Sequence, residues 1–281
     1  MQPLGLDAPA KLNLSLAVLG RRPDGHHELA SHFVLLTLAD RLLLMPGAPG
    51  LRVTSSDPDV PVDAANLAWR GLVSGLGAEP ELACLALEKR IPAAAGLGGG
   101  SSDAAAAWRL GRSWSGASEL PGVEELGELS RIGADVPFFA AQLRSAFVTG
   151  IGERLEACAA PAMREVVLAV APFGLSTAAV FAELRPSDWS REAATGHNDL
   201  LSAARRLRPE LDDIFAVVSA GGGIPALTGS GPTVYALTDD PQRAAAIAAA
   251  VERAGLRALR TRLAEGPTTI ATMSEEESRI Q

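Results

Sequence analysis

Apolar and polar residues alternate from the eleventh position onward. In KLNLSLAVLG, Leu12, Leu14, Leu16 and Val18 share one face, and Lys11, Asn13, Ser15 and Ala17 share the other. A period of two predicts a β-strand and points Lys11 and Asn13 the same way, about 7 Å apart. Taken alone, the polar face reads as a half-exposed strand wetted by solvent. RRPDGHHE carries a Pro-Asp-Gly turn, and HFVLLTLADRLLLMP predicts one or two further strands. A short strand follows around Leu51–Thr54, then a helix from Ala65 to Leu76, then a strand in ELACLALEKRIP. Alanine and leucine after Ser102 favour a helix through about Leu110, and GVEELGELSRIG another, closed by Gly133.

Beyond Val148 the pattern changes. EVVLAVAPFG is a buried-type strand, LSTAAVFAEL a helix, and HNDLLSAARRLRPELDDIFAVVSAG two helices parted by a proline. PTVYALT predicts a strand, DPQRAAAIAAAVERAG a helix opened by an Asp cap, and LRALRTRLA a last strand before a loose acidic tail. Strands and helices thus alternate in two blocks, with a boundary between Gly150 and Pro161. The expected fold class is α+β in two domains, residues 1–155 and 156–281.

Composition narrows the class. At 281 residues, 47% hydrophobic and 21% charged, the chain is an ordinary globular one with room for a large core. A net charge of -8 argues against nucleic acid as a main partner, which demands a basic stripe. No run approaches the ~18 apolar residues of a membrane span, and the N-terminus lacks a signal-peptide pattern. The expectation is a cytoplasmic enzyme with no membrane partner. Cys84 and Cys158 are isolated and read as buried free thiols. Of 25 basic residues only Lys11 and Lys89 are lysine. A position that stays lysine in such a chain suits a compact ammonium on a flexible stem. Lys11 is the candidate, and Lys89 reads as a solvated charge.

The stretch PAAAGLGGGSSDAA follows a strand and precedes a helix, the context of a phosphate cradle. Glycines let the backbone approach a ligand and turn its N–H groups inward, and the helix start adds free N–H groups. Ser101 and Ser102 are placed to cap that helix or to donate to phosphate oxygens. Familiar loops do not match. A Walker loop needs lysine where Ser101 stands, a dinucleotide fingerprint needs glycine there, and the HRD and DFG of protein kinases are missing. No cation lies within the loop.

PAAAGLGGGSSDAA resembles the phosphate-binding motif of the GHMP kinase superfamily. APAKLNLSL before it and LTGSGPTVYAL after it resemble the other two family motifs, in family order. PAKLNLSLAVLGRRPDGHHEL, GADVPFF and HNDL narrow the likeness to the branch that phosphorylates a cytidine-diphosphate-linked methylerythritol on the non-mevalonate isoprenoid route.

The resemblance implies an N-terminal ribosomal-protein-like α/β domain and a C-terminal ferredoxin-like α/β domain, with the site in the cleft between them. ATP is the implied cofactor, with Mg2+ expected beside it. Its phosphates would lie on the loop of Pro92, Ala93, Ala94, Ala95, Gly96, Leu97, Gly98, Gly99, Gly100, Ser101 and Ser102. Asn66 matches a position near adenine and reads equally as a helix cap. Lys11 would supply the cation that the loop lacks. Asp135 takes the position of the catalytic base and is also a good helix N-cap before Val-Pro. Asp103 would cap the helix or approach Mg2+. Asn13, His26, His27, Thr177 and Phe181 would recognise the acceptor, with His27 reading the cytosine edge and Phe181 stacking on it. His26 departs from the tyrosine usual there. Gly229, Ser230 and Gly231 would bring backbone donors to the acceptor's phosphates or form a tight strand-entry turn. No metal-ligand set is assigned, since adjacent His26 and His27 on an extended segment face opposite ways. Two alternatives remain: another small-alcohol kinase of the mevalonate or homoserine type, or a non-catalytic nucleotide- or RNA-binding protein.

Overall fold

The computed structural model describes residues 2–190 and 194–273, and the acidic tail beyond Met273 lies outside the described residues. Two long strands carry the first sheet: β1, Leu4–Arg21, and β2, His27–Pro46. They pair antiparallel through the Pro-Asp-Gly turn, where Gly25 takes a φ of 89°. β3, Gly50–Thr54, lies parallel to β4, Ala83–Glu88, which pairs with the far half of β2. Between β3 and β4 runs helix α1, Leu67–Leu76. Helix α2, Gly99–Trp114, follows the glycine loop and packs on α1. α3, Val123–Ser130, and the short α4, Val136–Ala140, complete the helical cover. β5, Ser145–Gly150, pairs with the near half of β2 and carries β6, Arg154–Ala157, on its outer edge.

The second sheet has the order β10-β7-β9-β8, all antiparallel. It comprises β7, Glu165–Val170, β8, Ala226–Leu227, β9, Val234–Thr238, and β10, Arg257–Arg262. Helices α5, Thr177–Glu183, α6, Leu201–Leu207, α7, Leu211–Ala220, and α8, Pro241–Arg253, accompany it. Asp240 caps α8 by accepting from the Gln242 amide at 2.8 Å, as the sequence predicts. A final strand, β11, Ala271–Thr272, returns to pair with Leu4 and Gly5 of β1.

The polar face of β1 differs from the solvent-wetted strand that its alternation allows. Lys11, Asn13 and Ser15 are buried, each at most 3% exposed. The opposite face explains the strand's position. Ala10, Leu12 and Leu14 pack with Val166, Leu168 and Tyr235 of the second sheet in one core cluster. β1 is therefore the central wall between the two layers, and the residues turned away from that core face the cleft.

Two further expectations change. The helix after the loop begins at Gly99, not beyond Ser102, so both serines lie inside its first turns. Lys89 is not a solvated charge. It pairs with buried Asp40 and Asp103, with Nζ 2.6 Å from Asp103 Oδ2. Cys84 is buried and Cys158 half-buried, both free thiols.

Candidate active site

The three motifs meet at Lys11. Its Nζ lies 2.5 Å from Asn13 Oδ1, 3.2 Å from Gly96 O and 3.3 Å from Asp135 Oδ2. The Phe33 ring closes a further side at 5.0 Å from its centroid. Glycine is required on both flanks. A Cβ at Gly98 would stand 3.0 Å from the Lys11 stem and from Phe139, and one at Gly229 would stand 3.4 Å from Nζ. Both glycines also hold positive φ, 72° and 56°, which L side chains rarely adopt. Lys11 thus sits where the first strand, the loop and the third motif touch.

Asp135 stands at the N-cap position of α4, yet its side chain makes no capping bond. Its carboxylate turns to Lys11 instead and keeps 27% of its surface open. The carboxylate is thus not spent on the cap and stands in the cleft beside Lys11.

Asn66 is the N-cap of α1: Oδ1 accepts from the Ala68 amide at 2.9 Å and Nδ2 donates to Pro61 O at 2.6 Å. The glycine loop has Gly96 and Gly98 in the left-handed region, and Ala94 with them at a φ of 49°. A Cβ at Gly96 would meet Thr228 O at 2.5 Å, so the loop lies directly on the third motif. The amides of Gly99, Gly100 and Ser101 open α2 and have no intrahelical acceptor. Ser102 Oγ is buried without a partner. Asp103 is buried too, and its burial pushes the carboxyl well above the ordinary range, with Lys89 opposing the rise.

At the other end of the cleft His27 stacks on Phe181, centroids 5.3 Å apart and planes 24° apart. Trp189 meets the same imidazole edge-on at 5.9 Å. Burial, with Arg21 and His26 adding positive charge, holds His27 below the ordinary histidine range. His26 is largely exposed, with Nδ1 3.4 Å from Asp24. Thr177 Oγ1 lies 2.9 Å from Ser230 Oγ, tying α5 to the third motif. One cleft of about 1640 Å³ brings together every predicted site residue except Ser102 and Gly231.

Sequence reasoning missed three residues. Thr228 accepts from the Asn13 amide at 3.1 Å, and its hydroxyl also reaches Gly96 O at 3.3 Å. Asn198, in HNDL, donates to Leu227 O and Gly229 O and so pins the third motif. Ser31 accepts from Asn13 Nδ2 at 2.9 Å. HNDL was itself the signal for Asn198, since a buried Asn beside a tight turn is a natural carbonyl clamp. Thr228 lies inside LTGSGPTVYAL without having been singled out there, and Ser31 carried no comparable local mark.

This fold and this site define the class of GHMP kinases. The model described as the GHMP kinases N terminal domain matches residues 64–142, and GHMP kinases C terminal matches residues 179–257. The chain is 39% identical to the 4-diphosphocytidyl-2-C-methyl-D-erythritol kinase of Streptomyces coelicolor, covering 88% of this chain and 91% of that one. Its namesake from Nocardia farcinica is 37% identical, covering 98% of both chains. A crystal structure of 4-(cytidine 5'-diphospho)-2C-methyl-D-erythritol kinase superposes with a TM-score of 0.76 at 34% identity, over 93% of this chain and 100% of that one. The chain belongs to the 4-diphosphocytidyl-2-C-methyl-D-erythritol kinase family.

Proposed function

We propose that the chain transfers the γ-phosphoryl group of ATP to the 2-hydroxyl of 4-diphosphocytidyl-2-C-methyl-D-erythritol. The products are the 2-phosphate and ADP, in the non-mevalonate synthesis of isoprenoid precursors. The observation that carries this reading is the Lys11–Asp135 pair at 3.3 Å, set where the glycine loop meets the third motif.

Phosphoryl transfer asks the protein mainly for positioning and charge stabilisation. The inward amides of the loop and of the α2 start suit the nucleotide's phosphates. Asp135, free of its cap, takes the proton from the acceptor hydroxyl. The oxygen then forms its bond to the γ-phosphorus, and the electron pair of the broken bond leaves with the β-phosphate. Lys11 offsets the negative charge that gathers between acceptor and phosphoryl group. The His27–Phe181 stack offers aromatic faces and a polar edge to a pyrimidine, which favours a nucleotide-linked acceptor over a bare small alcohol.

Mg2+ would enter with the nucleotide. Ser102, whose buried hydroxyl at the α2 start lacks a partner, is an oxygen donor of the hard type that the ion takes. The ion would supply neutralisation of phosphate charge.

The test is ADP release with the cytidine-linked alcohol against mevalonate and homoserine, for the wild type and for Asp135→Asn. Loss of a positioned base predicts a fall in kcat of about 10²- to 10⁴-fold, with ATP affinity nearly unchanged. Wild-type turnover by Asp135→Asn, or turnover on mevalonate alone, overturns the reading.

A further inference from the structure

We infer that Ser31 is a positioning residue for the reaction: it fixes which end of the Asn13 amide faces Lys11, and through it where the ammonium stands. This rests on the reading of Lys11 and Asp135 given above. Nothing in the family motifs points to Ser31, which lies on β2 beside β1 and is 3% exposed.

Hydrogen-bond direction decides the matter, starting from a group that has only one role. The carbonyl of Ser15 can accept and never donate. The Ser31 hydroxyl makes a short bond to that oxygen, so its single proton is spent there. Its remaining lone pairs can only accept, and the group beside them is Asn13 Nδ2 at 2.9 Å. The amide's NH2 end therefore turns to Ser31, and Oδ1 must face the other way. There it accepts from Lys11 Nζ at 2.5 Å. The polarity of a backbone carbonyl is thus relayed through a hydroxyl and an amide to the ammonium beside Asp135.

The backbone of Asn13 is held as well. Its N–H donates to Thr228 Oγ1 at 3.1 Å, and its C=O accepts from Tyr235 Oη at 3.1 Å. The amide's rotation about its last bond is then set by Ser31 on the Nδ2 side and by Lys11 Nζ and Thr228 Oγ1, the latter 3.4 Å away, on the Oδ1 side. Every member of the relay is at most 3% exposed, so little water reaches the amide to compete for it or repair a wrong orientation. With the hydroxyl gone, Nδ2 loses its acceptor, and the amide's orientation is left to Lys11 and Thr228 alone. A rotated amide would set NH2 against the Lys11 ammonium, donor against donor, and push Nζ away from the reacting atoms.

The experiment compares Ser31→Thr with Ser31→Val, two substitutions of nearly equal shape that differ in the hydroxyl. Packing disturbance is common to both, so the difference between them reads the hydroxyl alone. Ser31→Thr is expected to keep most of kcat. Ser31→Val is expected to lose roughly 10- to 100-fold in kcat, the effect of a small misplacement of a reacting group. The KM for ATP should move less than about threefold, because the loop amides do not depend on the relay. Ser31→Ala, which adds no bulk, serves if the larger side chains do not fold, and the same kcat loss is expected of it. Equal kcat for the Thr and Val variants, wild-type kcat for Ser31→Ala, or a loss confined to the KM for ATP each overturns the inference. Asp135→Asn in the same assay separates the two levels. An active Asp135→Asn defeats the reading of the site, whereas an inactive one beside a fully active Ser31→Ala defeats this inference alone.

Discussion

Lys89 carries its charge into a place where an ammonium alone would be expensive. Its side chain is 8% exposed and lies between Asp40 and Asp103, both more deeply buried. Asp40 is also the acceptor for the amides of Arg90 and Ile91, at 2.5 and 2.8 Å. The cluster therefore ties the end of β4 to β2 and α2 immediately before the glycine loop. Breaking a buried pair by removing one partner costs more than the pair contributes, because the other charge stays behind. Lys89→Met is expected to lower unfolding free energy by about 3–5 kcal/mol at pH 8, measured by urea denaturation. The sign with pH follows from Asp103, whose folded-state carboxyl is already raised by burial. A folded state that binds the extra proton gains on the unfolded one as pH falls, so the deficit should shrink from pH 8 towards pH 5. A Lys89→Met protein as stable as wild type at pH 8 would refute the account. The sequence singled out this lysine correctly as one of two and then misplaced it. Nothing in LEKRIP reveals the two carboxylates, which come from other elements.

At the scale of elements, the glycine loop is only as well placed as the helix that follows it. α1 and α2 touch backbone to backbone. A Cβ at Gly71 would fall 2.1 Å from Ala104 O, and one at Gly75 would fall 2.3 Å from Trp108 O. Two glycines four apart on α1 thus let it lie against the α2 backbone at Ala104 and Trp108, and the seam sets how far the α2 start can move. Gly71→Ala gains helix propensity but cannot fit without pushing the helices apart. A net loss of about 1–3 kcal/mol is expected from overpacking, together with weaker ATP binding in a nucleotide titration. Unchanged thermal midpoint and ATP affinity would show that the seam is not tight. Periodicity placed α1, β4, α8 and the second-sheet strands β7, β9 and β10 well because each has a uniform face, whereas the two-residue β8 went unread. β5 and β6 escaped it, since QLRSAFVTGIGERLEA mixes charge and glycine within strands of six and four residues. β11 escaped because two residues carry no period.

The whole molecule is held together by elements that serve both sheets. Ala10, Leu12 and Leu14 of β1 share one apolar cluster with Val166, Leu168 and Tyr235. A bridge joins Leu36 to Leu263, and Thr37 meets Thr261 at 3.0 Å. The two halves are therefore expected to unfold together, with calorimetric and van't Hoff enthalpies equal. Two resolved heat-absorption peaks would contradict this. The motifs, their order and most of the helices and strands were settled by the sequence itself, because local chemistry and a repeating face are written in neighbouring residues. Lys11 and Asp135 were legible as candidates by type and setting. Their approach to 3.3 Å, the burial of Lys89, and the relay from Ser15 through Ser31 were decided only by the tertiary structure. Each depends on which distant segments the shared core draws together, and that long-range closure has no signature in the spacing of adjacent residues.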